Sequence, residues 1–152
     1  MSISVCDVFW KNCLDRYVSG ITVKCALYNS SAGLSYDTTT AYTSTNEITG
    51  TNYTAGGVTA SIASGYPQLL LINDRYRACV RFDDVTFGSA ASPMTVSGVK
   101  QLLFYDSTTS GTPAILIYTF PEEQETAAGT FVFSIPISQI PVINILGGVT
   151  SG

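Results

Sequence analysis

Residues 5–28, VCDVFWKNCLDRYVSGITVKCALY, change their hydrophobic period partway along, and that change sets the fold class. Over residues 5–18, Cys6, Phe9, Trp10, Cys13, Leu14 and Tyr17 recur at spacings of three, one, three, one and three, an apolar stripe on a 3.6-residue helical period. Ser4 is placed to cap this helix, Asp7 suits the positive end of its dipole, and Gly20 can close its C-terminus. Asp7 also stands one turn before Lys11. A stripe this wide and aromatic must lie on an apolar surface. The polar face, with Asp7, Lys11, Asp15 and Arg16, is balanced in charge, unlike the basic face of a helix that rests on a membrane.

From Ile21 the period is two. Ile21, Val23, Cys25 and Leu27 alternate with Thr22, Lys24, Ala26 and Tyr28, which predicts a half-buried strand. Val58, Ala60 and Ile62 resume the alternation after a long run of turn residues. PQLLLIN (67–73) and RACVRFDDV (77–85) predict two more strands separated by the polar DRY, with Ala78, Val80 and Phe82 facing one way and Arg77, Cys79 and Arg81 the other. VKQLLFYD (99–106) and AILIYTF (114–120) flank STTSGTP, a hairpin connection. PEEQETAAG (121–129) is expected as an acidic loop before Phe131, Phe133 and Ile135, and PVINIL (141–146) as the last strand. Together these predict a mainly β protein, an antiparallel sandwich or barrel, jelly-roll-like arrangements included, with the amphipathic helix 5–18 across one face or open end. One domain is expected over 1–146, with a flexible tail at 147–152.

The composition narrows the function classes. Of 152 residues, 45% are hydrophobic and only 12% charged, about half the usual charged share. So little charge puts apolar and small polar side chains on the surface and favours a subunit of an assembly. Seven bases against eleven acids, without a basic run, argue against nucleic acid as a partner. The N-terminus has neither the basic nor the apolar region of a signal peptide, and no run reaches membrane-spanning length, so an unprocessed protein made in a cytoplasm is expected. Cys6, Cys13, Cys25 and Cys79 lack CxxC spacing. Cys13 and Cys25 fall on predicted core faces and are expected as small buried hydrophobes rather than metal ligands.

With no histidine, triads, Cys-His pairs and His-based metal sites are excluded. Carboxylates remain. Asp83 and Asp84 are adjacent at a strand end, where their side chains diverge, so a glycosidase-like pair with Glu47 or a Ca²⁺ site is disfavoured against turn and cap roles. TNEITGTNYTAGG (45–57) carries Gly50, Gly56 and Gly57 without a following Lys-Ser/Thr or a helix, so it is not a phosphate loop. It predicts a turn-rich connection in which Ile48 and Tyr53 pin the loop and Glu47 anchors backbone amides or a neighbour's arginine. The candidate interface or loop-anchoring residues are therefore Glu47 and Tyr53; Arg75, Tyr76 and Arg77, which with Arg81 suit a cross-strand salt-bridge ladder better than an oligosaccharide- or nucleotide-binding edge; and Glu122, Glu123 and Glu125, a solvated cluster whose alternative role is to meet a basic patch on a neighbour. Trp10, Tyr36, Tyr42, Tyr53 and Tyr76 are alternative sugar-stacking positions.

STNEITGTNYTAGGVTA (44–60) resembles a pattern of small virion proteins of tailed bacteriophages, Asn-Glu-(Val or Ile)-(Ser or Thr)-Gly-Thr-x-Tyr-Thr-Ala-Gly-Gly. ITVKCALYNSSAGL (21–34), RFDDVTF (81–87, with Phe87 where the pattern has Trp), QLLFYD (101–106) and GTFVFSIPISQIPVINIL (129–146) extend the similarity over most of the chain, residues 67–81 matching least. The resemblance implies a non-enzymatic structural protein without cofactor or metal. It would be assembled in the host cytoplasm and carried on the virion, acting as a capsid decoration or accessory subunit, or as a tail or neck component. Its partners would be other virion proteins, a major capsid or tail protein, and further copies of itself, a trimer among the forms such subunits take. No nucleic-acid or membrane partner is implied. A host-surface carbohydrate-binding module is the alternative of a different class.

Overall fold

The computed structural model describes residues 6–72 and 74–135; the expected Ser4 cap, the strand at 141–146, the tail at 147–152 and the side chains of Asp7, Trp10 and Arg75 lie outside that description. The protein is mainly β, with antiparallel sheets and one N-terminal helix. The contacts of the described residues gather into two units, one of 6–20, 62–72, 74–82 and 135, the other of 21–61 and 83–134.

The larger unit is built on a sheet in the order β2-β1-β6-β7, from β1 (Val23–Tyr28), β2 (Val58–Thr59), β6 (Met94–Asp106) and β7 (Ala114–Gly129). β6 and β7 form the expected hairpin. Its turn is closed by the buried Asp106, whose Oδ1 accepts the N–H groups of Thr108 and Thr109 at 2.8 and 3.1 Å. β1 lies antiparallel to β6, from Val23 opposite Asp106 to Tyr28 opposite Gln101.

Side chains alternate across this sheet, and both faces are covered. On one, Phe104, Tyr118 and Phe120 meet Phe131 and Phe133 with ring centroids 4.8–6.2 Å apart. Phe131 and Phe133 belong to β8 (Phe131–Phe133), which pairs with β5 (Val85–Phe87), so this half is an aromatic sandwich of two sheets. On the other face, Ala26, Tyr28, Leu103 and Tyr105 pack with Leu34, Tyr42 and Ile117. β1 is therefore buried on both sides from Cys25 to Tyr28, where its alternation predicts one wet face. The difference comes from the segment between β1 and β2, which folds back over the sheet and dries Ala26 and Tyr28.

The predicted acidic loop at 121–129 is strand. β7 continues to Gly129 because β6 runs alongside it as far as Met94, through several register shifts. Glu122, Glu123 and Glu125 project from this strand and are exposed.

The smaller unit contains α1 (Asp7–Ser19) and the hairpin of β3 (Gln68–Ile72) and β4 (Arg75–Cys79). Gly20 is the C-cap, with its N–H on the Tyr17 carbonyl. Cys6 occupies the N-cap without a side-chain bond. The helix is rotated from the expected orientation. Its covered seam is Lys11, Leu14, Asp15 and Val18, while Phe9, Cys13 and Tyr17 of the apolar stripe are exposed. Lys11 and Asp15 pair one turn apart, which lets their stems flank Leu14. A two-stranded hairpin is narrow, and its seam on the helix does not reach Phe9, Cys13 or Tyr17. Cys13 is thus exposed, against expectation, and Cys25 is buried as expected. Cys79 is also buried, so β4 does not divide cleanly into an apolar face with Ala78 and a polar face with Arg77.

Candidate functional site: a carboxylate clasp at the sheet edge

The connection from Asn29 to Gly57 holds one 3-10 turn, Ser30–Ala32, and otherwise runs as loop. Its first half covers one face of the central sheet. Leu34 is tied there by Gln101, whose Oε1 accepts the Leu34 N–H at 2.9 Å and whose Nε2 donates to the Leu34 carbonyl at 2.8 Å. Tyr42 stacks on Tyr105, centroids 4.6 Å apart and planes 21° off parallel. The chain then turns along the free edge of β1, where Glu47 bridges to Tyr28 and the Ile48 N–H reaches the Leu27 carbonyl at 2.8 Å. Its second half returns at Tyr53, whose ring lies 6.2 Å from Phe87.

Glu47 stands at the crossing and is 9% exposed. Its Oε2 accepts the Tyr42 hydroxyl at 2.7 Å, and its Oε1 accepts the Tyr53 hydroxyl at 2.6 Å and the Gly56 N–H at 2.7 Å. The Tyr53 oxygen in turn accepts the Leu27 N–H at 3.0 Å, and the Tyr105 hydroxyl donates to the Gly56 carbonyl at 2.8 Å. One carboxylate therefore joins a tyrosine stacked over one face of the sheet to a tyrosine set against the aromatic layer of the other. Charge-assisted bonds of this length are the stronger kind.

The glycines make the closure possible. Gly57 has φ +69°, and a Cβ there would overlap the Cys25 carbonyl of β1; a Cβ at Gly50 would overlap the Thr95 carbonyl, against which Thr51 forms its bridge. Asn52, at φ 59°, donates from Nδ2 to the Pro93 carbonyl at 2.9 Å. Burial first, and then the Glu47 carboxylate, push the phenols of Tyr53, Tyr42 and Tyr28 well above the ordinary tyrosine value; Tyr105 moves the same way for the same reasons.

Chemically, both oxygens of Glu47 are engaged by donors of its own chain, which is the arrangement of a structural anchor. Asp83 and Asp84 are exposed in the segment before β5. The remaining sequence-derived candidates fall elsewhere: Tyr76 and Arg77 on β4, with Tyr76 57% exposed, and Glu122, Glu123 and Glu125 along β7. Of the sugar-stacking candidates, Tyr42 and Tyr53 are committed to the clasp, whereas Tyr36 is 96% exposed. The clasp partners that sequence reasoning missed are Tyr42, Tyr105 and Gly56. Tyrosines five residues before and six after a lone glutamate, followed by a Gly-Gly pair, were the available signal.

A surface depression of about 570 Å³ in the smaller unit is lined by Asp15, Arg16, Ser19, Tyr66 and Pro67 among others. Among the described residues, no group of three or more Cys, Asp or Glu side chains is arranged to hold a metal ion, and no helix is long and apolar enough to cross a membrane. Comparison with protein-family models, curated proteins and solved structures finds no match to this chain.

Proposed function

We propose that this protein is a structural subunit of a tailed-bacteriophage virion, a decoration or accessory protein of the capsid that works through contacts between subunits. The observation that supports this reading most is the fate of the motif at 45–57. Its glutamate, tyrosine and glycines are used internally to lock a loop around a sheet edge. A segment whose residues brace the fold suits a particle component that must hold its shape. The smaller unit adds to it, since Val8, Phe9, Tyr17, Leu71 and Tyr76 stand exposed there in a chain with few charges. A tail or neck position is the second form of the same reading and uses the same surfaces.

Purified particles test it. Density for this fold on the shell in a particle reconstruction is the expected result, and particles lacking the protein should lose resistance to heat or low salt. Lost adsorption with an unchanged shell would move it to the tail. Absence of the chain from purified particles would refute the virion reading altogether.

A further inference from the structure

β7 is the outermost strand of the four-stranded sheet, and its two halves present different edges. From Pro121 onward the edge is blunted in several ways. Pro121 has no N–H and its carbonyl accepts the Lys100 ammonium at 2.7 Å; Glu122, Glu123 and Glu125 are exposed; the pairing with β6 shifts register on both sides of Val99; and Ala128 has φ 48°. Proline, charge and bulges are the means by which natural sheets keep an edge from pairing.

The half at Ile115–Phe120 has neither proline nor charge, and its register shifts are confined to its ends, at Ile115 and beyond Thr119. Its sequence, ILIYTF, carries no charge and no proline, Leu116–Thr119 pair with Gln101–Phe104 without a shift, and the side chains are half-buried or exposed. The loop at Thr40–Tyr42 takes the outer edge only as far as Ala114, whose N–H meets the Thr40 carbonyl at 2.9 Å. Among the described residues no strand pairs with β7 beyond that point. A neutral edge rich in β-branched and aromatic residues is a template for another strand.

We propose that this edge pairs with the same edge of a second copy, antiparallel about a two-fold axis at Ile117, so that the two four-stranded sheets become one. Charge fixes both the occupant and the register. With Ile117 opposite Ile117 of the other copy, Ile115 faces Thr119 and Leu116 faces Tyr118, favourable β-branched and aromatic pairs. The acidic halves then point away from each other. Centring the pair on Glu123 instead would set carboxylates directly opposite carboxylates, and centring it on Phe120 would press Glu122 and Glu123 onto Tyr118 and Ile117. A two-fold contact of this kind closes on itself and gives a dimer, not a fibre. The inference rests on the edge alone and not on the virion reading; a chain absent from particles would still dimerise.

Sedimentation of the purified full chain at micromolar concentration is expected to give twice the 16.2 kDa of one chain. Ile117→Lys and Ile117→Glu, each alone, should sediment as single chains, and mixing them should restore a dimer, which misfolded variants would not do. Because Ile117 also touches the core, a cysteine test accompanies it. With Cys6 and Cys13 changed to Ser, Ile117→Cys should form an intermolecular disulfide on mild oxidation and Glu123→Cys should not. A wild-type chain of single mass up to some hundred micromolar overturns the proposal. So does a dimer that cross-links through position 123 instead of 117.

Discussion

The two units of this chain use their large apolar residues in opposite ways. In the larger one Tyr28, Phe87, Phe104, Leu102 and Leu103 are buried almost completely, and the long loop that covers Tyr28 and Leu103 is fastened by a carboxylate with its donors in place. In the smaller one Phe9 is 53% exposed and Leu71 62%. The lesson is that low charge and high hydropathy do not describe the molecule evenly. One region spends most of its large apolar side chains on its own rigidity, and the other, beyond Leu14, Val80 and Phe82, displays several of them.

Glu47→Ala offers the sharpest way to break that contrast. It leaves two phenols and one backbone N–H without their acceptor in a buried setting, and unfolding in urea should show a loss of about 3–5 kcal/mol. A loss below 1 kcal/mol would mean that water replaces the carboxylate and that the clasp is incidental. Gly57→Ala comes next. It forces a side chain into the β1 backbone at a left-handed φ, for an expected cost of about 2–4 kcal/mol. Tyr53→Phe keeps the ring against Phe87 but removes the acceptor of the Leu27 N–H, and about 1–3 kcal/mol should be lost.

Alkali gives a further probe of the same cluster. The folded phenols of Tyr53, Tyr42 and Tyr28 titrate above the ordinary 10.0, so the unfolded chain ionises first. Their contribution is complete below pH 10 and fades as the pH climbs past it. The urea midpoint should fall over that window, and Tyr53→Phe should make the fall shallower. At the small end, Leu71→Ser and Tyr76→Ser in the other unit should change stability by no more than about 0.5 kcal/mol. On the proposed function they weaken attachment to the particle, read as occupancy on purified virions.

Periodicity made most of the sheet legible. The alternation at Val23–Tyr28 and the STTSGTP turn between two apolar runs gave β1, β6 and β7 their places, because those signals are local. The double burial of β1 was not legible, since Ala26 and Tyr28 are dried by a loop that returns from residues 34 and 42. The rotation of α1 was hidden for a similar reason. A stripe of Phe9, Cys13 and Tyr17 reports what a helix could bury, while the width of its partner decides what it does bury. The acidic run at 122–125 looked like loop by composition, and only the neighbouring β6 makes it strand. At the clasp, the glutamate and the tyrosine at 53 were visible as a loop anchor. The stacking of Tyr42 on Tyr105 joins residues 63 positions apart and left no local trace.

The pairing of β1 with β6 carries a kinetic consequence. β6 and β7 meet across a short turn and can associate early, whereas Val23 must find Asp106 about 80 positions along the chain. Closing so long a loop costs entropy before any contact repays it, and topologies dominated by such pairs fold in milliseconds to seconds. Between those two events the inner edge of β6 is open, and a newly made chain holds two unpaired edges at once. The loop fastened by Glu47 rests on β1 and β6 through Leu27, Tyr28 and Tyr105, and it can settle on them only once those strands have met. Stopped-flow refolding of Tyr53→Phe should then show a faster unfolding limb and an unchanged refolding limb.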